Sequence, residues 1–251
     1  MNGPLQCNPF PVEAWFDYSI TLTFAVPAGE LAARLPPCLE ADVFADQWGF
    51  IAVALVKTRG LRPKGLPSML GRDFILAGYR HFVRYRSTSG RRLRGLQIIR
   101  SETDKRAMVV LGNLFTPYKY QHQPLVARME GDRFTAINRN NDFYICVEPA
   151  EEESETLPHD SVFLDWRSAR RYCGPMPYTF NFDKRRNQVL IIEGQREEWK
   201  PEAMKVIDCN IPYLDVLGFS DVRLATAFRV CDVPYSWKKG RSEIWQSEEN
   251  V

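Results

Sequence analysis

Strand-like runs follow one another along most of this chain, and they limit its fold more than any other feature. The first run, residues 16–24, alternates large apolar residues with polar ones, which is typical of a strand with one buried and one solvated face. Turn pairs such as Ser89-Gly90 and Gly131-Asp132 separate several of the later runs. These later runs cover residues 40–45, 48–58, 74–87, 93–101, 106–114, 125–130, 132–138, 142–148, 176–182, 188–195, 203–210 and 222–230. The pattern predicts a meander of antiparallel strands.

Only a few segments have helical character. Residues 27–35 begin with a proline and carry leucines four apart, and residues 211–218 end at Gly218, a good C-cap. A longer helix is predicted over 160–172, with Asp160 as N-cap and Gly174-Pro175 as its stop. The tail from Trp237 onward is polar and is predicted to be loosely ordered. The predicted class is therefore mainly β with a few α-helices.

The length and composition favour one domain. A chain of 251 residues with 45% hydrophobic content can bury a sizeable core. No linker, repeat or low-complexity block divides it. We expect a single domain over residues 1–251, with its core at about 16–230.

Charge and cysteine content exclude several classes of partner. Lys and Arg total 33 against 31 Asp and Glu, so the net charge of +2 gives no general attraction to nucleic acid or acidic membranes. The first residues lack a basic region followed by an apolar core, and no apolar run reaches the ~18 residues of a membrane helix. The cysteines are scattered without a Cys-x-x-Cys pair, which favours free thiols in the reducing cytoplasm. Whether the chain forms homo-oligomers is left open.

The sequence predicts no metal and no cofactor. Dinucleotide, phosphate-loop, serine-hydrolase and zinc-protease motifs are all missing. The three histidines, His81, His122 and His159, lack metal-ligand spacing, and the acidic run 151–155 is interpreted as a solvated loop.

Lys119 is the first candidate for chemistry, because it lies between Tyr118 and Tyr120 in a turn that starts at Pro117 and has His122 close behind. A lysine forms imines near neutral pH only when desolvation or a nearby cation lowers its pKa. The aromatic neighbours favour desolvation, but no second lysine is adjacent. The alternative is a turn lysine that points into water.

The second candidate is the run of residues 78–86. Alternation places Arg80 on one face and Tyr79 and His81 on the other, so the interior face presents either guanidinium or imidazole and phenol groups. A buried arginine needs a carboxylate from the protein or from a ligand. The alternative is that Arg80, Arg84 and Arg86 lie together on an exposed face of the sheet.

A third candidate is the basic loop 58–67, in which Arg59, Arg62 and Lys64 alternate with glycines and prolines. Such a loop is suited to holding an anion at the mouth of a barrel, or equally to serving as a rigid surface crossover.

Four segments resemble the YqjF-like family, an uncharacterised group within the acetoacetate-decarboxylase-like superfamily. They are residues 48–67, residues 74–83 with Arg80, Phe115-Thr-Pro-Tyr118, and Phe163-Leu-Asp-Trp-Arg167 with Tyr172. The resemblance covers roughly residues 16–230. It implies a large antiparallel β-barrel or cone with a central cavity and a few helices.

The resemblance also implies site positions. In the decarboxylases a Gly-Phe-Pro-Lys-Lys turn carries the imine-forming lysine and a helper lysine. Matching on Pro117 puts Tyr118 at the nucleophile position and Lys119 at the helper position. Tyr79-Arg-His81 similarly overlays a Tyr-x-Glu segment, so His81 stands where a carboxylate assists the decarboxylases.

We therefore predict a cytoplasmic barrel that binds a small organic acid or carbonyl compound in its cavity. The ligand-binding residues expected are Arg80, His81, Tyr118, Tyr79 and His122. Two alternatives remain: a decarboxylase-like lyase that acts on a keto acid through Lys119, and a structural or interaction protein whose barrel is filled by side chains. The sequence does not decide whether the protein is an enzyme.

Overall fold

A computed structural model describes residues 5–138, 140, 142–152, 155–174, 176–197 and 199–246. Its strands are β1 (Val12–Pro27), β2 (Glu40–Ala41), β3 (Trp48–Pro63), β4 (Arg72–Arg86), β5 (Arg92–Thr103), β6 (Tyr120–His122), β7 (Leu125–Glu130), β8 (Arg133–Asn138), β9 (Tyr144–Pro149), β10 (Tyr178–Asp183), β11 (Gln188–Arg196), β12 (Glu202–Asn210), β13 (Arg223–Trp237) and β14 (Arg241–Ile244). The helices are α1 (Ala28–Ala32), α2 (Arg106–Phe115), α3 (Trp166–Cys173) and α4 (Pro212–Leu217), and a short 3₁₀ helix covers Ser68–Leu70. The mainly β class is confirmed.

Seven of these strands pair into a closed ring, in the order β1, β3, β4, β5, β10, β11 and β13. The ring closes where β11 pairs with β13, through Gly194 opposite Trp237 and Arg196 opposite Tyr235. Not every pair is antiparallel as predicted, because β5 pairs in parallel with β10 and with β6. Because β1 pairs directly with β13, the two ends of the predicted core belong to the same ring.

A second layer of strands covers one side of the ring. Strand β12 pairs with β13 and leads into the antiparallel series β9, β8 and β7. Ile20 and Leu22 of β1 pack in one buried cluster with Phe134 and Ile145 of this layer. The opposite face of β1 is also buried, since Thr21 and its polar neighbours face into the ring. The prediction that one face of β1 is exposed to solvent is therefore wrong. The polar face of β1 lines the interior of the ring instead.

The predicted strand over 106–114 is also wrong, because α2 occupies this segment. The adjacent Val109 and Val110 favour a strand by local propensity. The helix forms because Met108 and Gly112, four residues apart, share one face and become buried. Tertiary packing thus overrides the local preference.

The other helix predictions differ only in their limits. Helix α1 lies within the predicted 27–35, and α4 ends at Gly218, whose φ of 63° is the left-handed cap conformation. Helix α3 begins later than predicted, because Asp165 rather than Asp160 accepts the capping hydrogen bond from the Ser168 amide at 2.7 Å.

The predicted loose tail is ordered through β14, which pairs with β11. Three sequence interpretations fall partly outside the described residues: the acidic loop at 153–154, the Pro175 helix stop, and the end of the tail at 247–251. In the described part of the chain, no helix combines the length and the apolar character needed to cross a bilayer.

Candidate functional site

A cavity of about 140 Å³, the lumen pocket, lies inside the ring. Every strand of the ring contributes to its lining. The contributing residues include Thr21 of β1, Ala52 of β3, Arg80 of β4, Ser101 of β5, Thr179 of β10, Arg196 of β11 and Tyr235 of β13. The interior is thus not completely filled by side chains, and the open space is bordered by polar groups.

Arg80 is the first of two cations that line this pocket. Its Nε is buried and has no hydrogen-bond partner among the described residues, and none of the described residues that line the pocket is acidic. Burial lowers the pKa of Arg80, while Tyr235 and Tyr118 oppose that shift. A buried, unpaired guanidinium is unfavourable, so the site is suited to an anion that enters from solution.

Arg196 brings a second positive charge to the pocket. Its guanidinium carbon lies 4.4 Å from the ring centroid of Trp199 and 5.7 Å from that of Tyr235. Burial lowers the pKa of Arg196; Tyr235 raises it, and the like charge of Arg80 lowers it further. Two cations that destabilise each other's charge are both stabilised by one bound anion.

Neutral hydrogen-bonding groups surround the two arginines. The Tyr118 hydroxyl lies 2.8 Å from Thr179 Oγ1. Burial raises the pKa of Tyr118 and raises that of Tyr120 to about 12, so both phenols remain protonated at neutral pH. The buried Trp199 Nε1, which can only donate, has no partner in the described structure. The pocket is therefore rich in donors and suits an acceptor-rich ligand.

The backbone around Tyr120 is fixed by α2. Asn113 Oδ1 accepts a hydrogen bond from the Tyr120 amide at 2.7 Å, and Asn113 Nδ2 donates to the Tyr120 carbonyl at 2.9 Å. The Tyr120 ring lies against Gly112, where an added Cβ would come within 2.8 Å of the ring's Cγ. Only glycine leaves the space that this ring occupies.

His81 and Tyr79 lie outside the lumen pocket, on the other face of β4. His81 Nδ1 lies 3.2 Å from Gln97 Oε1, and burial lowers the pKa of His81 to about 4. Tyr79 is buried and its hydroxyl donates to Glu102 at 3.2 Å. Strand alternation thus separates Arg80 from both residues, although all three were predicted to bind the ligand.

The turn at Pro117 divides its residues in the same way. Tyr118 and Tyr120 line the lumen pocket, whereas Lys119 is exposed and lines a separate outer cavity with Gln97. The Lys119 backbone has a φ of 53°, and its amine is not among the groups inside the ring. His122 is exposed at the end of β6. The desolvation that an imine-forming lysine needs is therefore not found around Lys119.

The basic loop has carboxylate partners on β1. Arg59 pairs with Asp17 at 3.0 Å and Arg62 with Glu13 at 2.6 Å. These charges are locally compensated, which distinguishes them from Arg80 and Arg196.

Arg196, Trp199 and Tyr235 were missed at the level of the sequence. Arg196 comes directly after the predicted strand 188–195, and two glutamates follow it. This charged segment is typical of a strand end that is exposed to solvent. Only the ring closure brings it to the interior. No group of metal-ligating residues occurs in the described structure.

The model of the DUF2071 family, an uncharacterized conserved protein (COG2071), matches residues 14–237. The chain belongs to this family. No curated protein matches it by sequence. The fold is that of acetoacetate-decarboxylase-like proteins, which confirms the resemblance on which the fold prediction rested.

Solved structures show the same fold at low identity. An acetoacetate decarboxylase from Legionella pneumophila has 12% identity and a TM-score of 0.60, with 93% of this chain and 87% of that chain covered. An acetoacetate decarboxylase-like enzyme from Sphingomonas wittichii has 11% identity and a TM-score of 0.57, with 94% and 93% covered. The enduracididine biosynthesis enzyme MppR, complexed with pyruvate, has 11% identity and a TM-score of 0.60, with 95% and 92% covered.

Proposed function

We propose that this protein binds a small organic acid or carbonyl compound in its lumen pocket, with Arg80 paired to the ligand's carboxylate. The observation that carries the proposal is the unpaired, buried Nε of Arg80 in a pocket that no described acidic residue lines. Binding of a carboxylate replaces the missing counterion and forms charge-assisted hydrogen bonds.

The remaining polar groups have complementary roles in this proposal. Arg196 adds positive potential, and Trp199 Nε1 and the Tyr118 hydroxyl donate to the ligand's other oxygens. A cavity of about 140 Å³ has room for a head group of roughly benzene size, since an engineered cavity of ~150 Å³ binds benzene. Pyruvate in the MppR structure is an acid of this class in a protein of the same fold. We place this function in the cytoplasm, because the cysteines are scattered along the sequence without a Cys-x-x-Cys pair.

Binding without imine chemistry is the function we favour. The alternative of a keto-acid lyase needs a desolvated amine beside the carbonyl, and no lysine is found among the described residues that line the lumen pocket. Treatment with pyruvate and borohydride should therefore leave no reduced adduct at Lys119 by peptide mass mapping. An adduct at Lys119 would favour the lyase instead.

Calorimetric titration with pyruvate, acetate and acetoacetate tests the binding proposal, with the corresponding neutral amides as ligand controls. Arg80→Met should weaken binding by about tenfold to a hundredfold, because a hydrogen bond to a charged group contributes about 1.5–3 kcal/mol. Arg133→Met is the matched control, since Arg133 is exposed and pairs with Glu148 outside the ring. Equal affinity of acids and amides, or an unchanged Kd in Arg80→Met, would contradict the proposal.

A further inference from the structure

We infer that the ligand is a monocarboxylic acid with an extended apolar tail, whose carboxylate lies at Arg80 and whose tail occupies a second chamber. This inference rests on the proposed function and adds the chemical class of the ligand. It arises from the shape of the space around Arg80.

The second chamber, the tail chamber, has a volume of about 390 Å³. It borders the lumen pocket, because Arg80, Tyr118 and Tyr120 line both. The residues that line only the tail chamber are predominantly apolar and include Val12, Leu61, Phe74, Met108, Phe115 and Ile192. A volume in this range with an apolar lining and a few polar groups at one end is typical of a small-molecule site.

The charges fix the direction of the ligand. In the described lining of the tail chamber the charged side chains are Arg62, Arg72 and Arg80, and no carboxylate accompanies them. Arg62 is paired with Glu13, and Arg72 is exposed to water. Arg80 therefore remains as the buried cation at the junction of the two chambers, where the head of an amphipathic acid is stabilised while its tail extends among apolar side chains.

The outer end of the tail chamber is rimmed by exposed apolar residues. Leu70, after the basic loop, is 55% exposed and Leu111, on α2, is 36% exposed, and both line the chamber. Such a rim gives an apolar chain a path from the surface to the interior, which a small hydrophilic acid does not need.

A chain-length series tests the inference. We would titrate the protein with straight-chain monocarboxylates from acetate to decanoate, and in parallel with the matching primary alcohols. The Kd of the acids should fall by about fourfold for each added methylene until the chamber is full, because burial of a CH₂ group contributes about 0.8 kcal/mol. The alcohols should bind far more weakly at every length.

Variants at the rim separate the contribution of the ligand's apolar tail to the Kd from that of its carboxylate. Leu111→Gln should reduce the gain per methylene while leaving the Kd of acetate unchanged. Val110→Gln is the control on the same helix, since Val110 does not line the chamber. In Arg80→Met the gain per methylene should persist, although all acids bind more weakly.

The outcomes distinguish the two proposals. Binding of short acids through Arg80 without any gain from longer chains would overturn the tail inference alone. Binding of long alcohols as tightly as long acids would overturn both the carboxylate's role at Arg80 and the assignment of an acid. Failure of every acid to bind would overturn the proposed function together with the inference.

Discussion

Arg196 faces Tyr235 across the strand pair that closes the ring, and the two side chains lie 5.7 Å apart from guanidinium carbon to ring centroid. The strand pairing that closes the ring therefore also places the positive charge of Arg196 at the lumen pocket.

Arg196→Met should weaken the binding of a small organic acid by about tenfold, or about 1.4 kcal/mol, because one of two neighbouring positive charges is lost. Arg196→Lys, which keeps the charge, should weaken it less. Calorimetric titration of both variants gives the comparison. Unchanged affinity in Arg196→Met would show that Arg196 does not contribute to the site.

Arg80→Met should raise the stability of the ligand-free protein. Removal of a buried donor without a partner relieves a penalty of about 1–3 kcal/mol, and methionine fills similar space. Urea denaturation should show a higher free energy of unfolding, whereas Arg133→Met should change it by less than about 1 kcal/mol. A destabilised Arg80→Met variant would indicate that Arg80 has a structural partner.

Gly112→Ala should lower the free energy of unfolding by about 1–3 kcal/mol, since its Cβ would overlap the Tyr120 ring in a packed region. Gly29→Ala is the control, because no atom lies within 4 Å of the Cβ added there. Thermal or urea denaturation of both variants measures the difference. Equal stability of the two would contradict the close packing of α2 on Tyr120.

His81 should make the protein less stable in mild acid. Its pKa falls from an ordinary 6.5 to about 4 on burial, so between these values the unfolded chain binds more protons and stability drops as pH falls. A pKa that falls from 6.5 to about 4 corresponds to about 3 kcal/mol of lost stability between pH 7 and pH 4. His81→Asn lacks this group, so its stability deficit relative to the wild type should shrink as pH falls from 7 to 5. A constant deficit in urea denaturation would contradict the assignment.

The positions of most strands along the chain could be predicted from alternation, and two helix ends from Gly218 and a proline start. Helix α2 could not, because two adjacent valines favour a strand and only burial of Met108 and Gly112 reveals the helical face. For β1, period two separates the faces correctly from Tyr18 onward, whereas Phe16 lines the lumen pocket because the register shifts between Phe16 and Tyr18. The period also does not tell solvent from the interior of a ring. Alternation therefore predicts that Thr21 faces water, although Thr21 borders the lumen pocket.

The candidate site could be predicted in part. Arg80 and Tyr118 were singled out from the sequence and both line the lumen pocket, while Lys119 and His122 are exposed. Arg196 and Tyr235 reach the site because β11 pairs with β13, two strands that are distant in sequence. No local sequence pattern predicts such a pairing. Residues brought together only by ring closure lie beyond what a single sequence reveals.

The most direct test of the account is a crystal structure of the protein with a bound monocarboxylic acid. We predict the ligand's carboxylate within hydrogen-bonding distance of the Arg80 guanidinium, inside the ring, with its remaining atoms directed toward Tyr118 and Tyr120. Density for the acid only on the outer surface, with a lumen that holds only water at saturating ligand, would contradict the central claim.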